Sequence, residues 1–182
     1  MSKYYYLVAQ LPYLQFSPAD VDSLPMSYAS FYELASRFLT ERDMKVLKKL
    51  SLEPDKAEDE TDSRFLNAWY EWERLLRVAL AQLRATNMKK EFDSQGFAIP
   101  APIQQIARTA CNCDSPLEAE RLLNAEQLRV LNDLTPLDNF CSDAVFAYGL
   151  KLQMAERISL FNKEAGMSSY RTIYNQILGD AK

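Results

Sequence analysis

Any chemistry in this chain must come from carboxylates, cysteines, lysines or tyrosines, because the sequence contains no histidine. The missing imidazole excludes Ser-His-Asp and Cys-His nucleophiles, histidine-ligated zinc and histidine proton shuttles. Ferritin-like di-iron sites need Glu-x-x-His pairs, which are absent for the same reason. The 4 glycines lie far from one another, so no glycine-rich loop is expected to cradle a phosphate. The sequence therefore predicts a protein that is not an enzyme and holds no cofactor.

The 3 cysteines are the other candidates for a reactive or metal-binding site. Cys111 and Cys113 have the spacing of half a soft-metal site, but Cys141 is the only further thiol and a closed zinc site takes four ligands. An odd count without a secretion signal or a dense cysteine framework is typical of a reducing compartment. We therefore predict ordinary thiols near helix ends, no metal and a cytoplasmic location.

Charge and hydropathy exclude two classes of partner. The net charge of −4 is concentrated in an acidic stretch over residues 53–62, and the rest of the chain is close to neutral. No broad basic face is available, so nucleic acid is not an expected partner. The longest apolar run near the start, residues 4–9, is far shorter than the about 20 residues of a membrane-spanning helix. Direct membrane insertion is therefore not predicted.

The first part of the chain is expected to be irregular and then helical. Aromatic and β-branched residues over 4–9 predict a short strand or an extended arm. Ser27 can cap a helix over residues 28–39, and Thr40 can cap a second helix that reaches about residue 50.

Residues 63–88 carry the clearest amphipathic pattern, with apolar side chains on one stripe at helical spacing. Trp69 and Trp72 fall on this stripe, and we interpret them as core anchors rather than as a ligand platform. Glu73 can pair with Arg77 one turn later. The pattern predicts a long helix that forms the structural axis of the molecule.

A second long helix is predicted over residues 116–134. Ser115 is the expected N-cap, Pro116 the first helical residue and Glu118 the partner that closes a capping box. Before it, Gly96, Pro100 and Pro102 interrupt the pattern, and a short helix is predicted over about residues 103–110.

Three polar residues lie within the apolar half of the helix over 116–134: Glu120, Asn124 and Gln127. Buried polar groups must be hydrogen-bonded, whereas an uncovered strip would be available to a partner. Both alternatives are open from the sequence, and we favour an internal network because buried polar groups are normally paired.

The last long helix is predicted over residues 142–165, with Gly166 as the residue that ends it. Its apolar side chains form two stripes, which indicates a helix wedged between neighbours. A terminal helix over residues 169–178 follows. The whole pattern predicts an all-α bundle of about seven helices with a short extended N-terminal segment. It forms one domain over residues 1–182, or two lobes over residues 1–95 and 103–182.

Three helix-packing motifs carry a family resemblance: YYYLVA at residues 4–9, PLEAERLLN at 116–124 and YGLKLQMAER at 148–157. On these motifs the chain resembles an uncharacterised bacterial family, a domain of unknown function, whose genes tend to lie in V/A-type ATP synthase operons. That family looks like a shortened relative of the C (d) subunit, the all-helical funnel that seats the central stalk on the membrane ring. This chain is too short for a full funnel, which leaves two copies or an accessory role as alternatives.

The resemblance implies a structural, coupling or accessory subunit of an ion-transporting V/A-type rotary ATPase. Its implied partners are central-stalk or membrane-ring subunits, and its implied location is the cytoplasm or the inner face of the membrane. A stand-alone helical adaptor or scaffold protein of another pathway is the alternative, and an enzyme using carboxylates is a third. The charged and polar residues expected to contact partners are Glu120, Arg121, Asn124, Lys151, Glu156 and Arg157.

Overall fold

The computed structural model describes residues 3–19, 21, 23–53, 61–92, 96–160 and 163–179, and these form eight α-helices without a sheet. The predicted all-α bundle is confirmed. The helices are α1 (Tyr5–Val8), α2 (Tyr28–Ser36), α3 (Glu41–Lys48), α4 (Arg64–Asn87), α5 (Ala101–Cys111), α6 (Pro116–Leu134), α7 (Ser142–Ser159) and α8 (Lys163–Gly179).

Side-chain caps fix where four of these helices begin. The hydroxyl oxygens of Ser27, Thr40, Ser63 and Ser115 each accept a hydrogen bond from the backbone N–H three residues later, at 3.1–3.3 Å. An N-cap of this kind satisfies one of the free N–H groups of a first helical turn. The predicted starts of α2, α3, α4 and α6 are therefore confirmed, and α6 also ends at the predicted residue.

The expectation of a strand or extended arm over residues 4–9 is wrong. This segment contains α1, a single helical turn in which the backbone N–H of Val8 donates to the carbonyl of Tyr4 at 2.9 Å. Tyr4 and Leu7, which are three residues apart, are both buried. Residues at this spacing share one face of a helix but lie on opposite faces of a strand. The tertiary contacts of this pair therefore override the strand propensity of the aromatic residues.

The predicted helix over residues 142–165 is also corrected. α7 ends at Ser159, and Gly166 lies inside α8 instead of ending a helix. The terminal helix begins at Lys163, six residues before the predicted start. Glycine disfavours a helix interior by only about 1 kcal/mol relative to alanine, so a single glycine does not by itself stop a helix.

α7 is the central helix of the bundle and packs against α2, α4 and α6. Buried apolar residues occur on all sides of it, from Val145 to Ile158, which confirms the wedged helix expected from its two stripes. Gly149 is the point of closest approach. A β-carbon there would lie 2.8 Å from Leu50 Cδ2 and 3.0 Å from Phe31 Cε1.

α4 joins two hydrophobic clusters, as expected of the structural axis. The larger cluster contains Trp69 with residues of α1, α2, α3, α6 and α7, so both halves of the chain contribute to it. The smaller cluster lies between the C-terminal half of α4 and α5. Trp72 packs against both clusters, and its ring stacks on Trp69 with the centroids 5.6 Å apart. The interpretation of the two tryptophans as core anchors is confirmed.

We expect Gly149→Val to lower the free energy of unfolding by about 1–3 kcal/mol, because overpacking a filled core costs that much. The ring of Phe31 is fully buried and has little room to move. Ala125→Val, on the exposed face of α6, is the matched control and should cost less than about 1 kcal/mol. Urea unfolding followed by circular dichroism measures both. Equal stability of Gly149→Val and the wild type would contradict the described packing of α7.

Candidate functional site

A buried network of polar side chains connects α4, α6 and α7. Glu73, Asn124 and Gln127 are all buried. One Nη2 group of Arg157 donates to Asn124 Oδ1 and to Gln127 Oε1, both at 2.7 Å. The amide of Gln127 in turn donates from Nε2 to Glu73 Oε2 at 3.1 Å. Gln127 thus accepts from α7 and donates to α4, so a single side chain couples three helices.

Two further charged residues extend this network to the surface. Arg77 donates from Nε to Glu73 Oε1 at 3.1 Å, and its Nη2 lies 3.2 Å from Glu53 Oε2. Arg157 Nη1 lies 3.9 Å from Glu53 Oε1. Arg77 and Glu53 are exposed, and exposed pairs contribute only about 0.2–1 kcal/mol each. The inner hydrogen bonds are therefore the part of the network that matters most for stability.

Burial is the main electrostatic influence on the Glu73 carboxyl. Removal from water disfavours its charged form and raises its pKa, while the hydrogen bonds from Gln127 and Arg77 act in the opposite direction. The positive charge of Arg157 also opposes the increase. Each carboxylate oxygen of Glu73 accepts a hydrogen bond from a side chain of this protein, so the network serves chiefly as a structural tie.

Helical spacing explains why these residues meet, and it shows what the sequence analysis missed. Glu73 follows Trp69 by four residues and precedes Leu76 by three, so it lies on the buried stripe of α4. The sequence analysis assigns Glu73 only a pairing with Arg77. The position of a carboxylate between apolar residues of one helix face was the signal that could have identified a buried glutamate.

The internal network predicted for the polar strip of α6 is confirmed for two of its three residues. Asn124 and Gln127 are buried and hydrogen-bonded. Glu120, one turn nearer the N-terminus, is only partly buried. The strip therefore runs from the surface of the bundle to its interior.

The residues expected to contact partners lie in different environments. Asn124 and Arg157 bind each other inside the bundle, and Glu156 Oε1 accepts the backbone N–H of Tyr28 at 2.6 Å at the start of α2. These groups therefore already make internal bonds. Arg121 is exposed on α6, whereas Lys151 is partly buried on α7 and burial lowers its pKa. The structure brings together only Asn124 and Arg157 of the six.

A polar cleft of about 250 Å³ lies where the N-termini of α3, α4 and α7 meet. Its carboxylates complement the positive ends of the helix dipoles. Each of them has a partner in the same chain. Asp143 accepts from the Ser63 hydroxyl at 2.7 Å, Asp43 accepts from the Tyr4 hydroxyl, and Asp62 pairs with Arg42 at 2.6 Å.

The cysteines lie at helix ends, as predicted. Cys111 ends α5, Cys113 follows in the next loop, and Cys141 is the N-cap of α7. All three are free thiols. Cys111 borders a second cavity of about 170 Å³ between α4, α5 and α6. Across the described ranges, no group of three or more Cys, Asp or Glu side chains is arranged to hold a metal ion.

Comparisons with known proteins add no family assignment: no family model, curated protein or solved structure matches this chain. Among the helices that the structure describes, none combines the length and hydropathy needed to cross a bilayer.

We expect Arg157→Ala to destabilise the fold strongly, because it removes the donor from two buried acceptors. An unpaired buried acceptor costs about 1–3 kcal/mol, and both Asn124 and Gln127 lose their guanidinium partner. Arg121→Ala, at an exposed position of α6, is the control and should change stability by less than about 0.5 kcal/mol. Urea unfolding of both variants gives the comparison. Similar small losses for the two arginines would show that the network does not stabilise the fold.

The raised pKa of Glu73 predicts a particular dependence of stability on pH. A raised pKa means that the folded protein holds this proton more tightly than the unfolded chain does. The resulting stabilisation is complete below the ordinary glutamate pKa and is lost as the pH rises through the raised value. Glu73→Gln cannot ionise, so it should gain stability relative to the wild type between acidic and neutral pH.

The measurement for Glu73→Gln is urea unfolding of both proteins over a pH series. Other carboxylates titrate equally in the two proteins, so the difference between their free energies of unfolding isolates Glu73. A difference that is constant with pH, or that changes in the opposite direction, would contradict the raised pKa.

Proposed function

We propose that this chain is a non-enzymatic structural, coupling or accessory subunit of a V/A-type rotary ATPase, acting through protein–protein contacts. The resemblance of its three motifs to a family encoded in such operons supports the identity of the complex. The buried network supports the mechanical part of the proposal, and it is the single structural observation on which that part rests.

A subunit that transmits force must resist relative sliding of its helices. Hydrophobic burial is non-directional and roughly proportional to area, so the buried area alone does not specify the axial register of two helices. Hydrogen bonds depend on distance and angle. A shift of α7 along α6 would break the bonds from Arg157 to Asn124 and Gln127, and it would leave buried polar groups unpaired. The network therefore makes α4, α6 and α7 suitable as one rigid unit.

The proposed contact surface is the outer face of α6 near its N-terminus. Arg121 is exposed there, and Glu120 beside it is partly exposed. Charges at the rim of an interface contribute to orientation and association rate. Asn124, Glu156 and Arg157 are assigned to internal support of this surface, because their side chains already bond within the bundle.

Affinity isolation from native membranes tests this proposal. A tagged copy of the chain, expressed in the organism that encodes it, should retain central-stalk or membrane-ring subunits of the ATPase after gentle solubilisation. Arg121→Glu should reduce the recovery of these subunits, because it reverses the charge of the proposed surface. Arg108→Glu, on an exposed position of α5, is the matched control and should leave recovery unchanged.

Two outcomes would count against the proposal. A protein that stays in the soluble fraction and retains no ATPase subunit is not part of that complex. Reproducible retention of a different complex would instead support the helical adaptor of another pathway.

A further inference from the structure

The C-terminal helix α8 carries an apolar face that the bundle does not cover. Every side chain described between residues 167 and 177 is exposed. Five of them are large apolar residues, between 48% and 65% exposed. We call this face the α8 stripe, and it consists of Met167, Tyr170, Ile173, Tyr174 and Ile177.

An uncovered helix of this composition is poorly stable by itself. Most of the stability of a protein helix comes from packing of its apolar face, and isolated short helices are marginal in water. Residues 168–174 include serine, threonine, isoleucine and tyrosine, which are weaker helix formers than alanine or leucine. Coverage of the stripe would therefore stabilise α8 as well as remove apolar surface from water.

The spacing of the stripe is that of a helix pairing with another helix. Four stripe residues follow one another at spacings of three, four and three, which is the a-d-a-d pattern of a heptad seam. They are Met167, Tyr170, Tyr174 and Ile177. Ile173 lies beside this seam at a g position. In a two-fold dimer both copies present the same surface, and an a-d seam is a surface that can pack against its own copy.

The charge of the helix is compatible with pairing of two identical stripes. Arg171 is the only charged residue between residues 167 and 177. Two copies of a strongly charged stripe would repel each other, whereas a nearly neutral stripe has little such penalty. A single arginine also gives little attraction to an anionic lipid surface, which contributes about 1 kcal/mol per basic residue.

The available area is close to what a specific dimer needs. A large aromatic side chain buries about 150–250 Å², and the stripe residues are about half to two-thirds exposed. The two tyrosines and the three smaller apolar side chains together supply roughly 500 Å² from each copy, or about 1,000 Å² over a pair, near the lower limit for a specific interface. An interface of this size corresponds to a weak, concentration-dependent dimer.

We propose that the α8 stripe is a homodimerisation surface that binds the α8 stripe of a second copy of this chain. The two helices pair along the Met167–Tyr170–Tyr174–Ile177 seam, with Ile173 at its edge. This inference is independent of the proposed role in a rotary ATPase, because it concerns the purified chain alone.

Sedimentation velocity of the purified full-length protein over a micromolar to submillimolar range tests the proposal. The wild type should change from monomer to dimer as concentration rises. The double variant Tyr170→Glu/Ile177→Glu places charges within the seam and should raise the dissociation constant by about a hundredfold or more, at about 1.4 kcal/mol for each factor of ten. Ser169→Glu/Gln176→Glu adds the same charge away from the seam and should dimerise as the wild type does.

Thermal unfolding of all three proteins shows whether the bundle itself is intact. The stripe is exposed, so Tyr170→Glu/Ile177→Glu should unfold at nearly the same temperature as the control variant when both are measured at a concentration low enough for both to be monomeric. A wild type that stays monomeric throughout the range overturns the proposal, and so does a stripe variant that dimerises as well as the wild type. Monomeric wild type that sediments with phosphatidylglycerol vesicles would overturn it in favour of a lipid surface.

Discussion

The arrangement of the three long helices depends on one guanidinium group. Arg157, near the end of α7, donates hydrogen bonds to Asn124 and Gln127 of α6. Gln127 in turn donates a hydrogen bond to Glu73 of α4. Breaking any of these bonds exposes a buried polar atom without a partner, which is more costly than the bond itself is favourable. These polar groups therefore constrain the relative position of the helices in addition to the apolar surfaces around them.

The buried polar network carries a desolvation cost for the core but makes the register of its helices more specific. A purely apolar contact between α4, α6 and α7 would avoid desolvating Glu73, whose raised pKa reflects that cost. We interpret the network as a device that fixes helix register, which is the best-attested role of buried polar groups. Close packing also restricts movement of α7. Gly149 lets this helix approach Leu50 and Phe31 so closely that no space is left for a methyl group.

The division between inner and outer polar residues changes how the surface is interpreted. Asn124, Glu156 and Arg157 resemble contact residues in the sequence because they are polar members of long helices. In the structure they connect helices, whereas Arg121 and the α8 stripe face outward. The structure therefore presents two separate outer surfaces: a charged one around Arg121 on α6 and the apolar α8 stripe. A charged surface favours orientation of a partner, and an apolar helix face favours pairing with another helix.

The sequence by itself determined the all-helical class, the capped starts of α2, α3 and α6, the approximate start of α4 and the pairing of Glu73 with Arg77. These features are local, because an N-cap bonds three residues ahead and an amphipathic stripe repeats within one helix. Only the tertiary structure decided that residues 4–9 form a helical turn, that α7 ends at Ser159 and that Glu73 is buried beside Gln127. These outcomes depend on which distant residues cover a given face, such as Phe140 and Asp43 around Tyr4. Local propensities are too weak to decide between conformations when such contacts are available.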